Sequence, residues 1–71
     1  MDRGLKAFLA VAQEGSITAA ASKINLTQSS VTKRIATLES ETGVSLFYRD
    51  RRGMSLTEAG QLFLLRAERI E

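Results

Sequence analysis

Within the stretch NLTQSSVTKRIATLE, residues 25–39, Gln28, Ser29, Thr32 and Lys33 offer an amide, two hydroxyls and an ammonium, with no acidic residue until Glu39. An amide donates and accepts, a hydroxyl can do either, and an ammonium only donates. Such groups suit a partner rich in hydrogen-bonding edges or anions rather than a reaction. Catalysis is disfavoured by what the chain lacks. It has no histidine and no cysteine, and no carboxylates are paired for acid–base or nucleophilic work. The usual zinc ligand sets are excluded on the same count, and no cofactor is expected. A solvated, capped helix start carries the same residue types. The elements around these residues therefore decide between the two readings.

LKAFLAVAQEG places Leu5, Phe8, Leu9 and Ala12 at i, i+3, i+4 and i+7, one helical face, with Val11 widening it and Gly15 as the stop. SITAAASKIN restarts the same spacing at Ile17, Ala20, Ala21 and Ile24, with Ser16 as N-cap and Asn25 as the end. Its alanines allow a close helix crossing. Thr27 then caps a third helix whose inner face is Val31, Ile35, Leu38 and Thr42, closed by Gly43. A short alanine-rich helix, a tight turn and a second helix make the helix-turn-helix pattern. The period then changes. VSLFYR alternates Val44, Leu46 and Tyr48 with Ser45, Phe47 and Arg49, and GMSL resumes apolar character beyond the polar tip RDRRG. That predicts a two-stranded wing. Thr57 caps a last helix, EAGQLFLLRAERIE, whose apolar residues cover more than one face.

In a helix-turn-helix the second helix enters the major groove and its N-terminal residues meet the base edges. Gln28, Ser29, Thr32 and Lys33 occupy the exposed positions of those first turns, while Val31 and Ile35 face inward. Glutamine can pair with adenine, serine and threonine with donors or acceptors, and lysine with guanine or phosphate. Ser16 and Thr18 lie at the second helix's N-terminus, where backbone N–H groups attract anions. They are expected at phosphates, as are Ser30 and Arg34 beside the reading face, Arg49 and Arg51 near the wing, and Thr57. A wing-tip arginine can also enter a narrow minor groove. Charge fits this arrangement. From Gly15 to Leu38 there are three cations, Lys23, Lys33 and Arg34, and no anion, although the net charge is only +2.

AVAQEGSITAAA, TQSSVTKRIATLE, TGVSLFYR and LTEAG, in that order, resemble the N-terminal DNA-binding domain of LysR-type transcriptional regulators of bacteria, from about Leu5 to Gly60. The resemblance implies a mainly α winged helix-turn-helix over 1–57, with a three-helix core and a short two-stranded wing. A linker helix starting at 58–71 would then join two chains. By matching position it places base readout on Gln28, Ser29, Thr32 and Lys33, and the wing's minor-groove arginine on Arg52 or Arg51. Leu62, Phe63, Leu65, Arg66 and Ile70 fall on the dimerisation helix. The implied partners are an inverted-repeat DNA duplex, a second copy of the chain and, in a full-length protein, RNA polymerase. An effector domain would follow. The family often has serine at Thr27 and Thr32, proline at Ser29 and glutamine at Arg34, so the preferred DNA sequence is this chain's own.

Size and composition set the frame. A chain of 71 residues buries only about 60% of its unfolded surface, and without disulfides or metal it depends on packing, alone or with a second copy. An apolar fraction of 44% favours a folded domain. No apolar run nears the ~18 residues of a membrane span, and the N-terminus lacks a signal-peptide pattern. A cytoplasmic, nucleoid-associated protein is expected. The rival is a small helical protein-interaction module whose basic face is incidental.

Overall fold

Four helices and one hairpin follow in the order α1 (Arg3–Glu14), α2 (Ile17–Lys23), α3 (Gln28–Thr42), β1 (Phe47–Asp50), β2 (Gly53–Leu56) and α4 (Glu58–Ile70). This computed structural model describes residues 3–51 and 53–70, and only the backbone of 68–70. The stripe on α1 buries Phe8, Leu9 and Val11 together with Ala7 and Ala10. Ala20 and Ala21 of α2 and Val31, Ile35 and Leu38 of α3 close the three-helix core. Thr42, expected on the inner face, is exposed, and its hydroxyl donates to the Glu39 carbonyl at 3.2 Å. It lies one turn beyond Leu38, where α3 has already run past the core.

Local chemistry fixes the turn between α2 and α3. Ser16 caps α2 by accepting from the Ala19 N–H at 3.1 Å, and Thr27 caps α3 by accepting from Ser30 at the same distance. The end of α2 is a Schellman motif. Leu26 N–H donates to the Ala21 carbonyl at 2.9 Å and Asn25 N–H to Ser22 at 3.4 Å, with Asn25 left-handed at φ 56°. Asparagine tolerates that conformation better than most side chains. The turn between the two helices is thus set by backbone bonds, and the buried Ala20 and Ala21 of α2 let α3 approach closely.

The wing departs from the expected alternation. Leu46 and Phe47 are both buried, whereas Val44 and Tyr48 are exposed. The strand begins only at Phe47, so Leu46 is free of its period, and the inward face of the hairpin is that of Phe47. Phe47 pairs with Leu56 and Arg49 with Met54 in an antiparallel register. Asp50, expected in the tip, belongs to β1, while Arg49 and Gly53, where the strand runs and the tip overlap, fall in β1 and β2. Phe8 unites the halves of the molecule. Its ring lies 5.3 Å from that of Phe47 and 4.9 Å from that of Phe63, the second contact edge-to-face.

Three attachments hold the wing and α4 in place. Glu39 on α3 accepts from the Leu46 N–H at 2.6 Å and the Phe47 N–H at 3.4 Å. Met54 N–H donates to the Gly15 carbonyl at 3.0 Å, and beside it Gly53, at φ +128°, comes so near that a Cβ would overlap the Gly15 oxygen. Thr57 N–H donates to the Leu46 carbonyl at 3.0 Å. Gly60 in the first turn of α4 passes that same carbonyl too closely for any side chain.

Gly60→Ala should therefore lower stability by about 1–3 kcal/mol, because the obstruction is backbone and cannot rotate away. Gly4→Ala on α1, whose added Cβ meets only ordinary contacts with Leu38 and the Arg34 carbonyl, should be neutral or raise stability by up to about 1 kcal/mol. Urea unfolding followed by circular dichroism compares them, and equal effects would contradict the packing described. Glu39→Ala should cost about 1–3 kcal/mol, since two part-buried N–H groups lose their acceptor; an unchanged unfolding midpoint would deny Glu39 that role.

Candidate nucleic-acid interface

Gln28 opens α3 and is exposed, as are Ser29, Thr32 and Lys33; Ser30 and Arg34 are half-buried. The helix period puts Val31, Ile35 and Leu38 inside and turns these polar groups out. Ser29 keeps one local partner, the Thr27 hydroxyl at 3.3 Å. Ser16 uses a lone pair in capping α2, which leaves its O–H able to donate outward.

These residues gather on two sides of α3. On the wing side, Ser16 and Thr18 of α2, Gln28 and Thr32 of α3 and Arg49 of β1 line one open cleft of about 380 Å³. Ile17 and Met54 add apolar surface to it, and Asp50 a carboxylate. On the other side Ser30, Lys33 and Arg34 line a second cleft together with Arg3. Ser29 lines neither. The first cleft joins amide, hydroxyl and guanidinium groups from three elements far apart in sequence, and its apolar patch suits a methyl-bearing edge. Arg51 is exposed at the end of β1, while Arg52 lies outside the described residues. Lys23 is drawn elsewhere, pairing with Glu14 at 3.3 Å and with the Gln13 side chain.

Thr57 stands apart from both clefts. It is 8% exposed, and its hydroxyl donates to the Ser45 carbonyl at 2.6 Å and accepts from the Gly60 N–H at 2.9 Å. The hydroxyl's one proton is thus donated within the fold, which leaves none to offer the phosphate expected there. On α4, Leu62 and Leu65 are 52% and 53% exposed, and Arg66 is exposed beside them. Phe63, expected on the same dimerisation surface, instead points inward to Phe8. The inner stripe is Gly60, Phe63, Leu64 and Ala67 at helical spacing. The Ile70 side chain lies outside the described residues.

Sequence reasoning missed Arg3, Glu39 and Asp50. Arg3 precedes the apolar stripe by only two positions and reads as an end residue until the crossing of α1 and α3 is known. Glu39 looks like one more exposed helical acid. Asp50 reads from the sequence as a turn residue, and only the hairpin register brings it to the cleft.

The match to known proteins follows the same outline. Residues 3–61 match the family described as bacterial regulatory helix-turn-helix protein, lysR family. The HTH-type transcriptional regulator YofA of Bacillus subtilis is 50% identical over 66 residues, which cover 93% of this chain and 23% of that protein. The crystal structure of the CbnR DNA-binding domain complexed with DNA superimposes with a TM-score of 0.92 at 44% identity, covering 99% of this chain and 82% of that one. The BenM DNA-binding domain on catB site 1 DNA gives 0.92 at 35% identity, with 99% and 80% covered. The chain thus spans about a quarter of the length of the full regulators it matches and about four-fifths of the isolated DNA-binding domains. It belongs to the lysR family of bacterial regulatory helix-turn-helix proteins, as their winged-helix DNA-binding domain.

Proposed function

We propose that the domain reads a specific sequence of double-stranded DNA, with the first turns of α3 in the major groove and the wing over the adjacent minor groove. The observation that carries this is the cleft where Ser16, Thr18, Gln28, Thr32 and Arg49 converge, a concave donor-rich surface built from α2, α3 and β1. Gln28, Ser29, Thr32 and Lys33 read base edges, by side chains whose donor and acceptor patterns match them. Ser16, Thr18, Ser30, Arg34 and Arg49 hold phosphates and set the register. Arg52 or Arg51 reaches the minor groove, and Arg51, exposed just past β1, otherwise holds a phosphate. Leu62, Leu65 and Arg66, on the outer stripe of α4, pair with the same helix of a second copy. An inverted-repeat site would match the two-fold axis of that pair. In the full protein this activity serves transcription regulation in the bacterial cytoplasm, on the nucleoid.

The neighbours solved on DNA support the partner. The exposed pair Leu62 and Leu65 would equally suit a protein-interaction module, and salt separates the two readings. Phosphate binding releases counterions and weakens steeply as salt rises, whereas an apolar interface does not. Selecting bound duplexes from a random pool tests specificity and symmetry together. Recovery of unrelated sequences would reject sequence-specific reading.

Gln28→Ala should cost about 1–3 kcal/mol on the selected duplex and relax the preference at one base pair. Equal weakening on all duplexes would remove Gln28 from base readout. Arg51→Ala should lower affinity and, if the guanidinium meets a phosphate, flatten the salt slope by about one. Unchanged affinity and slope, measured by fluorescence anisotropy, would take Arg51 out of the interface.

A further inference from the structure

The second cleft, on the side of α3 away from the wing, is lined by Arg3, Lys33 and Arg34, with the Ser30 and Thr37 hydroxyls and the Glu41 carboxylate. Gly4 explains how α1 reaches it. A Cβ at Gly4 would lie 3.6 Å from Leu38 Cβ and 3.8 Å from the Arg34 carbonyl, so the first turn of α1 rests on α3 at the turn carrying Arg34. Three cations are thereby set around one concave surface against a single carboxylate among the described residues. Among the described residues none of the three is in an ion pair, while Lys23 is paired with Glu14. Arg3 also stands in the first turn of α1, which holds no acidic residue, and there the helix dipole opposes a cation. Neither packing nor helix formation accounts for gathering these charges, and mutual repulsion works against it. An anion would reverse that balance. Two guanidinium groups also match the paired oxygens of a phosphate better than a point charge does.

We infer that this cleft seats a backbone phosphate of the DNA strand bordering the major groove on the side opposite the wing. Arg3 and Arg34 are its ligands, the Ser30 hydroxyl is a neutral donor, and Lys33 adds charge. The assignment rests on the DNA-binding reading above. It adds Arg3 to the interface and makes α1 part of it. α3 then lies between two phosphate contacts, Arg49 and the wing on one strand and Arg3 on the other, so its tilt in the groove is fixed from both sides. A phosphodiester of DNA is favoured over free phosphate because Ser30 and Lys33 continue the polar face of Ser29 and Thr32 around the same helix.

The test uses the 71-residue chain and its Arg3→Gln, Arg34→Gln and Arg3→Lys variants. Each is titrated by fluorescence anisotropy on the selected duplex and on a scrambled duplex of equal length, across a salt series. Arg3→Gln and Arg34→Gln should each weaken both duplexes by the same factor. Each should flatten the salt slope by about one, making the loss of affinity between about 50 and 200 mM salt roughly three- to fourfold smaller. Arg3→Lys should keep the slope. Inorganic phosphate, added at constant ionic strength, should compete no better than chloride. The seat is overturned if the parent binds with a steep salt slope that Arg3→Gln leaves unchanged, if the loss is confined to one base pair, or if inorganic phosphate displaces the duplex. A parent that binds neither duplex overturns the DNA-binding reading itself. Arg3 is exposed and lies outside the core, so its variant decides the matter even if Arg34→Gln proves unstable.

Discussion

The Phe8 ring sits where the two halves of this small molecule meet and touches an aromatic ring from each of the two elements beyond the three-helix core. Towards one side α1 packs on α2 and α3 through small and branched side chains. Towards the other, Phe8 touches Phe47 at the root of the wing and Phe63 on α4. A chain of this size has few alternative contacts, since its core is thin. The aromatic cluster therefore sets the position of the hairpin relative to α3, and with it the shape of the cleft between them. A cleft assembled from three elements is only as well defined as that spacing.

Backbone attachments refine what the rings begin. An isolated two-stranded hairpin is marginal in water, and this one is bonded at both ends. Glu39 holds its entry to α3, Gly15 holds its second strand to the corner between α1 and α2, and Thr57 ties its exit back to Leu46. Gly53 and Gly60 allow approaches that no side chain would permit. The wing is in this sense an extension of the helix-turn-helix, and Arg49 takes its place in the cleft from that rigidity.

Most of the frame was legible because it rests on local rules. Helical spacing, the caps Ser16 and Thr27, and the stop at Gly43 concern neighbours in sequence. The polar face of α3 followed from the same period. The errors came where distant residues decide the outcome. Leu46 and Phe47 are both buried because the strand starts between them, which no alternation of side chains reveals. Phe63 turned inward because Phe8 offered its ring, and Thr57 became buried because Ser45 and Gly60 took both functions of its hydroxyl. Arg3 could not be placed before the crossing at Gly4 was known.

Gln28, Thr32 and Lys33 project from α3 without contributing to its packing, while Val31, Ile35 and Leu38 beneath them carry the fold. Exchanging the outer residues leaves the inner ones undisturbed, so under the base-reading role proposed for them a change of preferred base would carry little penalty in folding. On the proposed reading, the same helix could change what it recognises while its buried face stays as it is. For a fold reused across many regulators, that division makes new specificities accessible by single substitutions.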